Sequence, residues 1–309
     1  MLVAAVLALV AAFLFALASV LQQRAAATVP DEDALKASLV KRLVKQPSWL
    51  AGFGLDAAGY FTQAVALAFG TLIVVQPLLV TMLLFALPLG ARFAGRRLAR
   101  RDWMWALILT TGLASFLIIG DPTAGVERGE GRRWLVMLLI IYPVIVALVA
   151  SATSRRGAIR ALLLGAAAGL CYGVTDALTK SVVRGVDDGL DTVVDNWETW
   201  LLVITIVSGA FLQQSAYQAG GLRASLPAIT GLEPVTGIVL GLVVYQERFR
   251  VHSVIGWTLL IGSATTATVG ALALARRAGE QEAPTASGSQ PPTNMGQARP
   301  DGGRRGSIT

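Results

Sequence analysis

The sequence predicts an all-α integral membrane protein: about nine transmembrane helices, built as two inverted four-helix repeats joined by a linking helix. Three observations carry this. Hydrophobic residues make up 54% of the 309-residue chain, charged residues only 15%, and the mean hydropathy is +0.63. A bilayer span needs roughly 20 mainly apolar residues, and nine such stretches follow one another with short connections. A block of four spans, about 2–121, recurs at about 159–275, with one extra span at about 133–152 between the copies. An odd linking span turns the second block over, and inverted repeats of this kind frame carrier sites at the membrane midplane.

The nine stretches are about 2–24, 48–69, 72–94, 103–121, 133–152, 159–183, 197–219, 223–246 and 253–275. The first has no basic n-region, its apolar run is too long for a secretory h-region, and it ends on Gln22-Gln23-Arg24. It therefore reads as a membrane helix rather than a leader. Residues 1–275 form a single transmembrane domain. The remainder, 276–309, is rich in Pro, Gly, Ser, Thr and Gln and reads as a disordered cytoplasmic tail.

The net charge of +7 would suggest nucleic acid in a soluble protein, but here the basic residues sort by membrane side. One set of connections, with the tail, holds 19 of the 26 Lys and Arg, including Lys41, Arg42, Arg96, Arg97, Arg155 and Arg276. The other set holds six: Arg128, Arg132, Arg133, Arg184, Arg248 and Arg250. The positive-inside rule then puts the N-terminus outside and the C-terminus in the cytoplasm, in the plasma (inner) membrane. The partners expected are the lipid bilayer and a small solute or cation, not nucleic acid; a homodimer is compatible with this plan.

Aligning the two blocks brings Trp49 opposite Trp200, Gln63 opposite Gln214, and Gln76-Pro77 opposite Glu233-Pro234. Ser19, Gln22 and Gln23 match Asp176, Thr179 and Lys180. Four ionisable residues fall well inside spans: Asp56, Asp176, Lys180 and Glu233. A charge at the bilayer centre costs at least about 2.5–3.5 kcal/mol, so each calls for a partner or a function. Gly165, Gly169, Gly173, Asp176 and Lys180 recur at spacings of 4, 4, 3 and 4 and share one helix face. Small residues there admit a neighbouring helix. Glu233, Gly237 and Gly241 form a similar stripe.

Pro77 and Pro234 remove the backbone donors that Ile73 and Thr230 would accept from, so both are expected helix breaks. Asp56, Tyr60 and Gln63 make a further polar stripe, and Gln214, Tyr217 and Gln218 another. Together these faces would line one substrate or ion pathway. Asp176 precedes Lys180 by one turn, the favoured order for a helical ion pair; the two would equally serve as a gate or substrate clamp. Asp56 fits structure and cavity lining alike. Glu233 has no partner on its own helix and is the expected coupling or cation-binding carboxylate. If the cargo were Mg²⁺, Glu233, Asp176 and Asp56 would supply the oxygen ligands.

Several chemistries find no residues. There is no Gly-x-x-x-x-Gly-Lys-Ser/Thr loop for ATP. Gly52-Phe53-Gly54 fits a dinucleotide pattern only loosely and lies in a membrane helix. One cysteine, Cys171, and one histidine, His252, can build neither a disulfide, a Cys/His metal site nor a hydrolase triad. No enzyme activity and no bound cofactor are expected, only proton or Mg²⁺ coupling. The acidic connection 184–198 reads either as a solvated loop or as a funnel that concentrates cations.

The segment LEPVTGIVLGLVVYQERF (Leu232 to Phe249), followed by IGWTLLIGSA, resembles the closing helices of the EamA-like repeat of the drug/metabolite transporter (DMT) superfamily. The proline near its start, the small-residue helix and the terminal Glu247 carry the match; the first block has Gly90 where Glu247 aligns. LQQRAA, WLAGFGLDAAGYFTQAVALAFGTLIVVQPL and LQQSAYQAGGLRASLPAITGLEP resemble the NIPA-type magnesium transporter branch. The resemblance implies a secondary, non-ATP carrier of a small polar solute or metabolite by alternating access, or a NIPA-like Mg²⁺ permease. A non-transporting scaffold or lipid-handling protein is the remaining class.

Overall fold

Hydrocarbon offers no partner to a backbone amide or carbonyl, so a chain this apolar must satisfy them within each segment, as helix. The computed structural model describes residues 1–26, 46–93, 95, 97–186, 189–220 and 222–282, and it meets that requirement. In chain order the helices are α1 (Leu2–Ala26), α2 (Pro47–Phe69), α3 (Leu72–Leu79), α4 (Met82–Phe93), α5 (Arg100–Gly120) and α6 (Gly131–Thr153). There follow α7 (Gly157–Gly185), α8 (Leu190–Asp195), α9 (Trp197–Gly220), α10 (Leu222–Val243) and α11 (Val254–Glu282). Two short strands, β1 (Pro122–Thr123) and β2 (Arg248–Phe249), pair antiparallel, Pro122 opposite Phe249.

Among the described residues, eight spans are long and apolar enough to cross a membrane, with α3 and α4 counted together as one. The expected span at 48–69 forms α2, which has the length, 23 residues, but whose polar stripe and glycines dilute its apolar character. Outward-facing Leu, Val, Ile, Phe and Trp side chains such as Leu107, Ile118, Leu139, Val207 and Phe211 cover the bundle, as a lipid-facing surface requires. The protein is a multi-pass helical membrane protein.

The helix ends follow from local chemistry. Pro47 opens α2 at its first turn, where a missing N–H costs nothing. Gly70 is extended, and the Thr71 hydroxyl accepts from the Val74 amide at 3.3 Å to start α3. Pro77 then denies Ile73 its usual donor, and the chain tightens into short-range bonds, Val80 N to Pro77 O and Thr81 N to Leu78 O. The expected break at Pro77 is therefore real, between α3 and α4. Its counterpart is not: α10 runs unbroken through Pro227 and Pro234, and α6 through Pro143. A proline in a helix packed on several sides is tolerated at a bend rather than a stop. The last helix also extends past the expected limit of 275, to Glu282; residues 283–309 lie outside the described residues, as does the basic connection 27–45.

In each block the first two helices pack lengthwise together, α1 on α2 and α7 on α9. Across the blocks, α3 meets α10, and α5 lies against α11. The latter pair is antiparallel: Asp102 near the start of α5 bonds Arg277 near the end of α11, while Gly120 at the end of α5 meets Leu260. The glycine ladder of α7 faces α10 as its spacing predicts, Gly165 against Ser225 and Gly169 against Ile229. A Cβ at Gly173 would stand 2.7 Å from the Glu233 carbonyl oxygen and closer still to Thr236. Gly173→Val is therefore expected to cost about 1–3 kcal/mol through overpacking. An unchanged thermal unfolding midpoint in detergent would refute that.

Candidate functional site

Where the two blocks meet, three glutamine and aspartate side chains close on one another. Asp176 of α7 is buried, and its two carboxylate oxygens are taken by different helices. Gln63 of α2 donates its amide N–H to Oδ1 at 2.7 Å, and Gln76 of α3 donates to Oδ2 at 2.8 Å. One turn along α7, the Thr179 hydroxyl meets the Tyr60 hydroxyl of α2 at 2.7 Å. Both Gln63 and Tyr60 were expected on one stripe of α2, and both reach α7. The Asp176 charge is thus met by neutral donors only. Charge-assisted bonds from amides stabilise a carboxylate without cancelling it.

Glu233 of α10 stands within electrostatic reach of Asp176 and, among the described residues, has no hydrogen-bond or ion-pair partner. Tyr172 of α7 lies within reach of Glu233, Asp56 and Tyr217. Its hydroxyl donates to Gln213 Oε1, whose amide donates in turn to the Tyr217 hydroxyl at 2.7 Å. Asp56 is exposed and accepts a hydrogen bond from Gln22 of α1. Among the described residues, Asp56, Asp176 and Glu233 therefore hold no cationic partner, while tyrosine and glutamine side chains of α1, α2, α3, α7 and α9 surround them with neutral hydrogen-bonding groups. Gly237 lets Gln76 lie flat on α10: a Cβ there would stand 2.7 Å from Gln76 Cγ.

Two expectations need correction. Asp176 and Lys180 do not pair. Lys180 Nζ instead bonds Glu247 Oε1 at 2.5 Å, with the two side chains only 5% and 0% exposed. The reason is competition: both Asp176 oxygens are occupied, and Glu247 lies across the bundle where the lysine can reach it. Gln214 does not line the site either. It is exposed, and its neighbour Gln213 points inward, because adjacent residues on a helix face directions about 100° apart. The prolines line a different space. Pro77 and Pro234 flank an apolar cleft of about 120 Å³ between α3, α5, α10 and α11, into which Leu113, Phe116 and Ile238 project.

Sequence reasoning missed Gln213, Tyr172 and the working partner of Lys180. Glu247 was visible only as the end of a repeat; the signal that could have found it was a buried lysine with its nearest acid already claimed. In the acidic connection, α8 orders residues 190–195 with Asp191 and Asp195 exposed, while Asp187 and Asp188 lie outside the described residues. Cys171 is buried, in keeping with packing, and His252 is exposed. No group of three or more His, Cys, Asp or Glu converges as a metal cage among the described residues.

A helical membrane bundle with acidic side chains among its packed helices is the class that fold and site define. The chain is 36% identical, over 251 residues, to an uncharacterized protein of Corynebacterium glutamicum, an alignment covering 81% of this chain and 87% of the relative. It belongs to the same family as that protein. No protein-family profile and no solved structure matches the chain.

Proposed function

We propose that this protein is a secondary, non-ATP carrier of the drug/metabolite transporter type, with nine spans, an outside N-terminus and a cytoplasmic C-terminus. The observation that carries the reading is Asp176, an acid of the second block held only by Gln63 and Gln76 of the first. A site made jointly by two halves changes when the halves move, which is what alternating access needs. The antiparallel contact of α5 with α11, the last spans of the two blocks, supports inversion. Glu233, beside Asp176 and without a hydrogen-bond or ion-pair partner among the described residues, is the coupling or cation-binding carboxylate. The cargo is a small polar solute that either carries positive charge or travels with a proton or cation.

A Mg²⁺ permease is the second reading, favoured by one observation: Lys180, a cation that would repel Mg²⁺, is neutralised by Glu247. Mg²⁺ keeps several waters and needs only one or two carboxylates, so a full protein cage is not required. The deciding experiment is flux into proteoliposomes, comparing Mg²⁺ with a panel of amino acids and other small metabolites. Substrate-dependent flux is expected, and Glu233→Gln should abolish it while leaving a monodisperse protein. Full activity in that variant would sink the role of Glu233. Absence of any flux would favour a scaffold or lipid-handling protein, and rescue of a magnesium-uptake-deficient strain would select the permease.

A further inference from the structure

We infer that Lys180 and Glu247, seated on the N-terminus of α3, form the gate that closes the ribbon-side mouth of the carboxylate site. The Glu247 carboxylate is held from three directions. The Leu72 amide donates to Oε1 at 2.9 Å, the Ile73 amide to Oε2 at 3.0 Å, and Lys180 Nζ to Oε1 at 2.5 Å. The first two donors are the otherwise unsatisfied amides of a helix start, where a negative charge is favoured. One side chain thus ties α3 of the first block to α7 and the α10–β2 turn of the second.

Its position relative to the site is set by helical spacing. Lys180 follows Asp176 by four residues, Leu72 precedes Gln76 by four, and Gly241 follows Gly237 by four. Gly237 packs on Gln76, and Gly241 packs on Glu247. On α7, α3 and α10 the Glu247 layer therefore lies four residues, about 6 Å at the helical rise, beyond the Asp176 layer. Farther out, the Lys180 ammonium lies 4.6 Å from the centre of the Tyr245 ring. The Tyr245 hydroxyl is bonded to Ser181 and to the Ala177 carbonyl, and Trp134 packs edge-on against the ring. Lys180, Glu247, Tyr245 and Trp134 are all buried in this layer.

The chemistry suits a joint that opens. A seal of apolar side chains would hold as well as a buried ion pair, which must offset the desolvation of both charges. It would, however, expose apolar surface to water each time it parted. An ammonium, a carboxylate and two helix-end amides are all solvated when water enters, so the open state is not penalised in the same way. The inference rests on the carrier reading, but its test reads access of water-soluble reagent, not flux, so the two can fail separately.

The test uses the full chain in sealed vesicles, in a Cys171→Ser background with Thr175→Cys as reporter, next to Asp176 and one turn inward of Thr179 and the Lys180 layer. A membrane-impermeant methanethiosulfonate is added to the face carrying β1 and β2, and labelling at the reporter position is read by peptide mass. Labelling is expected to be slow with the pair intact. In Lys180→Met/Glu247→Gln it should rise at least about tenfold, as a decade's shift in the closed–open equilibrium implies. A second measurement keeps the same proteins and adds the reagent to the opposite face, where loss of the pair should give no rise in labelling. Labelling that does not rise from the ribbon face on loss of the pair in a monodisperse protein, or that rises equally from both faces, would make this layer a static brace and overturn the gate.

Discussion

Replacing Glu247 with alanine is expected to destabilise the protein by about 3–5 kcal/mol, the cost of leaving one partner of a buried ion pair uncompensated. Two further terms act in the same direction. The Leu72 and Ile73 amides lose their acceptor, and Gly241 loses the group it packs against. Glu247→Gln should fall between alanine and the native residue, since its carbonyl can cap one amide but not balance Lys180. Lys180→Met/Glu247→Gln should recover part of the loss, because the stranded charge is then gone. Thermal unfolding of the four proteins in one detergent checks the order. A single-alanine variant melting with the native protein would show that the pair contributes nothing.

The second large effect is expected on transport rather than stability. Asp176→Asn keeps the shape of the side chain, and one of the two glutamines can rotate its amide to offer a carbonyl in place of an N–H. The fold should survive, with an unfolding midpoint close to native. What is lost is the charge shared between the halves, and flux should fall below about one tenth of the native rate, as for a functional intramembrane acid. Native flux in a protein carrying asparagine there would reduce Asp176 to a structural hydrogen-bond hub. Together with Glu233→Gln, this variant separates an acid that the halves grip from one that stands free beside it.

Much of this was legible in the chain because helical spacing fixes which side chains share a face. The ladder Gly165, Gly169 and Gly173 packs on α10 as its period requires, and the stripe through Tyr60 and Gln63 meets α7. The α3–α4 break at Pro77 is likewise local backbone chemistry. Spacing along one helix cannot choose among partners on different helices. Asp176 and Lys180 are correctly spaced to pair, yet two amides and a distant carboxylate outcompete that local contact. Neither does it resolve a polar doublet: Gln213 and Gln214 differ by one position, and only the packing of α9 on α7 decides which turns inward. Pro234 differs from Pro77 in surroundings rather than in kind. Glu247 lies beyond the end of its helix, in a turn where Gln246 adopts a left-handed conformation (φ 55°), and no periodicity reaches it.

The contact between α5 and α11 sets a mechanical boundary. It is clasped at one end by the β1–β2 ribbon and at the other by Asp102 with Arg277, and along its length Gly112 and Gly270 bring the two backbones into close contact. Fastened at both ends, this pair would serve as a hinge line. In the proposed carrier cycle the two blocks part at Gln63, Gln76 and Asp176 while α5 and α11 stay joined.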